Sequence, residues 1–240
     1  MREFNALKDY PQPNKRLVGA NIRTIKNKIA ASYRDERYYD GKREDGYGGY
    51  IYDGRWKRFV SVLEEHYGLT SESRFLQIGC EKGFLMHDIQ EKYPNAYLAG
   101  YEMSSYAIDN SMPSIKKRII EGRYDKLPFE NDEFDIVIAI GVVYALTLGD
   151  CISCLKEIER VGKGNSFITL GAYFDEKSKR LFKDYWSLLG SAVLHQDEWK
   201  LVLEEAGYTG DYTFATSETL NERNTGGVPL YELVRFLKKV

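Results

Sequence analysis

Residues 74–84 read RFLQIGCEKGF: a five-residue run, Arg74 to Ile78, meets Gly79, and a tight turn leads through Gly83 into Phe84 and a helical stretch. A short apolar run stopped by glycine and followed by helical periodicity is the opening of a βα unit. Glycine in such a turn permits positive φ and lets the backbone approach a ligand closely. Two glycines alone are common at such junctions, so the neighbouring segments decide what this turn is for. The next apolar run, AYLAGYE at 96–102, ends in Glu102, roughly 20 residues beyond the turn, where a carboxylate can accept hydrogen bonds from both hydroxyls of a ribose.

Further along, apolar runs alternate with helical stretches. Strands are expected at RIIEG (118–122), FDIVIAI (134–140), SFITLGAY (166–173), DYTFATS (211–217) and PLYELVRFLKK (229–239). Helices are expected over about 83–92, 105–112, 150–161 and 176–188, and in HQDEWKLVLEEAGY, which ends at Gly207. This order predicts an α/β fold: a doubly wound, Rossmann-like, seven-stranded and mostly parallel sheet with helices on both faces, binding its ligand at the carboxyl ends of the strands. Upstream, Leu17, Ile22, Ile25 and Ile29 predict an amphipathic helix over 16–32, followed by an ordered loop carrying six tyrosines between Tyr33 and Tyr52 and a short helix from about Trp56 to Tyr67. Residues 1–68 are therefore expected to form a helical, tyrosine-rich cap or lid, and 69–240 the α/β domain.

With 240 residues, 43% of them hydrophobic, the chain can bury one sizeable core, while two full domains would be cramped. No run approaches the roughly 20 apolar residues of a membrane span, and the N-terminal stretch has no apolar signal segment. Cys80, Cys151 and Cys154 are an odd number without a disulfide framework. The expected compartment is the cytoplasm. Cys151 and Cys154 form a CxxC inside an apolar helical run, which predicts buried small residues and no metal. The net charge of −2 hides an asymmetry: residues 1–60 hold 14 Lys+Arg against 8 Asp+Glu. That surplus either attracts an anion, such as a phosphate, nucleotide or nucleic acid, or is a solvated helix face.

A dinucleotide turn would read G-x-G-x-x-G, whereas this one lacks the second and third glycines and sets Glu81 where a pyrophosphate would lie. S-adenosylmethionine carries cationic centres and no phosphate, so an acidic turn is compatible with it. Over about residues 70–240 the chain resembles the class I S-adenosylmethionine-dependent methyltransferases. RFLQIGCEKGF looks like their glycine-rich first motif and GYEMSSYAIDNS like the acidic second. LPFENDEFDIVIAIGVVYAL is similar to their fourth-strand block, and HQDEWKLVLEEAGY resembles a late helix. The resemblance implies that Gly79, Cys80, Gly83 and Phe84 line the methionine and ribose end of the cofactor. Glu102 would hold the ribose, Met103 would pack on the adenine, Tyr124 would lie near its amine and Gly141 near the sulfonium. Three positions depart from the family: Gln77 replaces the usual acid, leaving a neutral partner for the cofactor's ammonium; Glu81 replaces the middle glycine; and Arg123 replaces an acid near the adenine.

The activity implied is methyl transfer to an oxygen or nitrogen of a small, anionic metabolite, such as a nucleotide-linked or phosphorylated sugar of the kind used in polysaccharide biosynthesis. An oxygen acceptor also needs a group to take its proton. Acceptor-side candidates are Tyr144 and His195 for catalysis, and Tyr47, Tyr50, Arg55 and Tyr173 for binding. Tyr144 stands one before a position where the family often has histidine, and Ala145 occupies that position. His195 doubles as a helix-start residue. A nucleic-acid methyltransferase, or a non-catalytic cofactor-binding scaffold, are the alternatives. The expected partners are a small-molecule acceptor and, for assembly, at most a second copy in a homodimer, with nucleic acid disfavoured by the mildly acidic pI of about 6.0 and no membrane contact.

Overall fold

A computed structural model of the chain describes residues 1–11 and 15–223. The strands are β1 (Arg2–Glu3), β2 (Arg16–Val18), β3 (Arg74–Ile78), β4 (Tyr97–Glu102), β5 (Ile119–Glu121), β6 (Ile136–Ala139), β7 (Ser166–Tyr173), β8 (Leu194–His195), β9 (Asp211–Ala215) and β10 (Leu220–Glu222). The helices are α1 (Ile25–Ser32), α2 (Glu36–Tyr39), α3 (Lys57–Tyr67), α4 (Phe84–Lys92), α5 (Ser105–Asp109), α6 (Leu148–Val161), α7 (Glu176–Lys179) and α8 (Gln196–Ala206). The main sheet runs β1-β9-β7-β6-β3-β4-β5, with β8 on β7, and its pairings are parallel among the described residues. This is the Rossmann-like, doubly wound α/β architecture expected from the sequence.

Period-two alternation explains the layers. In β3, Leu76 and Ile78 join a core with Cys151, Leu155, Trp199 and Leu203 of α6 and α8. Phe75 joins the opposite core with Phe59 and Leu63 of α3 and Leu85 and Ile89 of α4. Side chains of successive strand residues point to opposite faces, so a strand apolar throughout must be covered on both sides. Trp199 is fully buried, and its indole N–H donates to the Gly171 carbonyl at 2.9 Å. Trp199→Phe removes that donor and leaves a void, and should lower stability by about 1–3 kcal/mol. Thermal unfolding checks this; an unshifted midpoint would show that the neighbours close the gap.

The N-terminal region departs from the periodicity. Instead of one helix over 16–32, residues 16–18 form β2, paired with β10, and only Ile25–Ser32 is helical. Leu17, Ile25 and Ile29, the expected apolar face, are more than half exposed. Strand pairing with a segment 200 residues away overrides a local helical pattern because the ladder satisfies the backbone that the helix would otherwise satisfy itself. β1 is a strand of the main sheet, and α3 belongs to its core, so part of segment 1–68 is built into the α/β layers; residues 16–53 cover the carboxyl ends of the strands. The helical stretch expected at 176–188 is α7 followed by a π-helical turn, Arg180–Trp186. The strand expected at 229–239 lies outside the described residues. No helix among the described residues is long and apolar enough to cross a membrane.

Candidate functional site

The chain leaves β3 for β4 and β5 on one side and returns to β6 on the other, so the loops after β3 and β6 part and open a crevice. The turn after β3 is shaped by sterics. Gly79 has φ +65°, and a Cβ there would come 2.3 Å from Val142 Cγ2; Gly83, at φ +74°, would meet Ile115 Cδ1 at 2.1 Å. Between them Glu81 holds φ +51° without being glycine, a conformation that costs of order 1–3 kcal/mol and persists where its surroundings enforce it.

What enforces it is Glu102. Its carboxylate is fully buried and accepts from the Glu81 amide at 2.8 Å, the Met103 amide at 2.8 Å, the Ser104 amide at 2.9 Å and the Tyr124 hydroxyl at 3.1 Å. Backbone and phenol dipoles thus satisfy the charge without a cation bonded to it. The sequence-predicted Met103 and Tyr124 lie beside this carboxylate, and Gly83 caps α4 behind it.

A roof formed by residues 33–52 closes over the turn. Tyr47 donates to both oxygens of Glu81, at 2.9 and 3.1 Å. Lys82, 7% exposed, donates to the Asp40 carboxylate at 2.6 and 2.8 Å and to the Tyr50 carbonyl at 3.1 Å. Tyr106 donates to Asp40, Ser104 to the Arg34 carbonyl, and Tyr52 to Asp88. The aromatic rings pack in series, Tyr47 stacked on Tyr50 at 4.2 Å and Tyr50 tilted against Phe84 at 4.6 Å. That is why so many aromatics stay ordered here: they bury one another against the turn. The Arg34 guanidinium is enclosed among Tyr124, Tyr38, Tyr39 and Glu102; burial alone would loosen its proton, and these neighbours hold it instead.

Turn and roof enclose a cavity of about 780 Å³. Gln77, Gly79, Cys80, Phe84, Gly141 and Tyr144 line its sheet side, while Tyr47, Tyr50 and Arg55 line the roof side. The Arg55 guanidinium is taken up by Asp53, at 2.8 and 2.9 Å. Tyr173 and His195 do not line the cavity: the His195 Nδ1 accepts from the Asp197 amide at 3.2 Å and caps α8, with the Tyr173 ring edge-on to it at 5.7 Å. Burial together with the Glu102 charge pushes the Glu81 carboxyl up to about 7, against hydrogen bonds from Tyr47 and Tyr50 and the pull of Arg34. Sequence reasoning had marked Glu81 only as a departure from a motif. It also missed Arg16, Arg23 and Arg43, which line the cavity with Trp186; the positive surplus of residues 1–60 was their one visible signal.

Four buried side-chain polar atoms among the described residues have no hydrogen-bond partner, and two of them belong to the turn and its roof: Gln77 Oε1, near the end of β3, and the Tyr39 hydroxyl; the others are Asp88 Oδ2 and Gln90 Oε1. An orphaned buried acceptor costs about 1–3 kcal/mol, a cost removed by a bound group that donates to it. A cationic amine beside Gln77 and a chain laid along the glycine turn would fit these residues; Glu102, Met103 and Tyr124 do not line the cavity, and a ribose reaches the Glu102 carboxylate only where its present donors give way.

Residues 69–207 match the family described as Methyltransferase domain. A search of curated proteins found no match. Among solved structures, the YcgJ protein of Bacillus subtilis is 16% identical, aligned over 61% of this chain and 66% of its own, with a TM-score of 0.48. The PH0226 protein of Pyrococcus horikoshii is 23% identical over 55% of this chain and 61% of its own (TM-score 0.41). A SAM-dependent methyltransferase of Methanosarcina mazei is 20% identical over 41% of this chain and 51% of its own (TM-score 0.37). The aligned parts thus span less than two thirds of those proteins.

Proposed function

The chain belongs to the methyltransferase domain family, and from that premise we propose that it is a class I S-adenosylmethionine-dependent enzyme that methylates an oxygen or nitrogen of a small anionic acceptor held between the glycine turn and the tyrosine-rich roof. The observation that carries this is the cavity itself: roughly 780 Å³, bounded by the turn on one side and by Arg16, Arg23 and Arg43 on the other. That volume suits a small molecule, and the cations favour a negative one.

When bound, S-adenosylmethionine supplies a methyl group on a positively charged sulfur. Gln77 Oε1 would accept from its ammonium, Gly79 and Cys80 would lie along its chain, Glu102 would hold its ribose, and Gly141 would leave room near the sulfur. Tyr144 walls the acceptor side, and His195, occupied as a helix cap, is given no chemistry. An acceptor O–H or N–H must lose its proton as the heteroatom is alkylated. Glu81 is the carboxylate we assign to take it, with Tyr47 orienting its oxygens.

This gives a pH dependence. The titratable groups whose charge or hydrogen bonding acts on Glu81 are Glu102, Arg34, Tyr38, Tyr39, Tyr47 and Tyr50, together with Tyr10, Cys80 and Tyr144. Only the charged carboxylate takes a proton, so kcat/KM should climb as pH rises through about 7 and level above it. Glu81→Gln should flatten that limb and lower the plateau by about 100-fold. An unchanged profile in Glu81→Gln would remove Glu81 from the chemistry. Stability of the cofactor-free protein runs the other way: between the ordinary carboxyl range and about pH 7 the folded state keeps a proton that the unfolded chain has released, so this carboxyl makes the fold less stable as pH rises through 7. To test the acceptor class, the protein and S-adenosylmethionine are incubated with fractionated metabolites, and products one methyl heavier are sought by mass spectrometry. Methylation confined to neutral, cationic or polymeric fractions would overturn the assignment.

A further inference from the structure

Arg16, Arg23 and Arg43 converge on one indole. Their guanidinium carbons lie 4.6, 3.8 and 5.6 Å from the ring centroid of Trp186, and all four side chains line the cavity. Arg23 and Arg43 each donate once to a backbone carbonyl, of Trp186 and Gly46 respectively. None of the three forms an ion pair with a carboxylate among the described residues, whereas nearby Arg37 and Arg55 pair with Asp35 and Asp53. The distances to the ring place Arg16 and Arg43 within about 10 Å of one another, close to the Debye length of about 8–10 Å, so salt screens their repulsion only in part. Burial, then Arg43 and Arg16, hold the Arg23 proton more loosely than usual, at about 10.

Cation–π contact with Trp186 orients these groups but does not neutralise them. Trp186 closes a π-helical turn, a rare irregularity that recurs at functional sites. Each planar guanidinium keeps N–H donors free in a fork that matches phosphate oxygens. A single carboxylate would leave two of the charges uncompensated, and one phosphate would leave about one. A terminal diphosphate, with about three negative charges, matches three guanidinium groups both in charge and in number of oxygens.

Resting on the reading of an anionic acceptor, we propose that Arg16, Arg23 and Arg43, arrayed around Trp186, form a subsite for a diphosphate group of the acceptor. The subsite lies in the same cavity as Glu81 and Gly79, so an acceptor anchored there by its diphosphate presents its remaining part to the cofactor turn.

The test uses the full chain with inorganic pyrophosphate, orthophosphate and acetate as probes, followed by calorimetry. Pyrophosphate should bind at least tenfold more tightly than orthophosphate, acetate should not bind measurably, and added salt should weaken pyrophosphate binding. Arg23→Gln and Arg43→Gln should each reduce pyrophosphate affinity at least tenfold while leaving S-adenosylmethionine affinity within twofold, which also shows that the variants are folded. Arg16→Gln, which removes no hydrogen bond of the fold, is the second variant should Arg23→Gln unfold. Equal binding of the two phosphates, lost in these variants, would overturn the diphosphate while leaving an anionic acceptor standing. Absence of any phosphate binding by a protein that still binds S-adenosylmethionine would overturn both. Pyrophosphate binding indifferent to all three substitutions would place it elsewhere and overturn the subsite.

Discussion

Glu102→Ala is expected to weaken S-adenosylmethionine binding at least tenfold, and more than any other single change in the cofactor turn. Two losses combine. The ribose loses its charged acceptor, worth on the order of 1.4 kcal/mol or more. The amides of Glu81, Met103 and Ser104 lose the oxygens they now donate to, and a buried donor left unpaired costs about 1–3 kcal/mol. The second loss also frees Glu81 from its left-handed conformation. Glu102→Gln separates the two: it keeps one acceptor oxygen but turns an NH2 toward donors, so it should fall between wild type and alanine. Calorimetry with S-adenosylmethionine and with its demethylated product, alongside a fold check, reads the result. Wild-type affinity in a folded Glu102→Ala protein would remove the ribose from this place.

Asp40→Ala should lower kcat/KM by about 30-fold. Lys82 is nearly inaccessible and Asp40 is its anion; stripping a buried cation of its partner costs about 3–5 kcal/mol when the pair is fully buried. Asp40 keeps 30% of its side chain exposed, which reduces the expected cost to about 2 kcal/mol. The cheapest relief is for residues 33–52 to lift and let water reach Lys82, so the loss should appear as roof opening, visible as faster hydrogen exchange there. Replacing both partners with apolar groups is often neutral, so Asp40→Ala with Lys82→Met should recover most of the activity. If the double variant is no better than the single, the pair is not the latch of the roof.

The α/β layers could be read from the chain because both of their signals are local: continuous apolar strands such as FDIVIAI, and glycine at the βα turn. Gln77, Gly79, Cys80, Phe84 and Gly141 were likewise found from position and lie together on the cavity. Tyr47 and Tyr50 were found through their density, though not their partner, since nothing local says that a phenol will reach a carboxylate 34 residues on. Glu81 was visible as an anomaly, but its meaning needs the burial that only the folded roof supplies. Arg55 drew attention in place of Arg16, Arg23 and Arg43 because sequence shows a charge but not whether it is already paired. β1 was missed because two residues carry no period, and β2 because its pairing lies with β10.

The pairing of β2 with β10 has a consequence for the order of assembly. Arg16 is opposite Leu220, and Arg23 leans on Trp186, so the segment that carries these arginines cannot settle until residues far along the chain are in place. The turn after β3 and the carboxylate that ends β4 lie in one continuous stretch and need no such distant partner. The side of the cavity that the arginines line waits for β10.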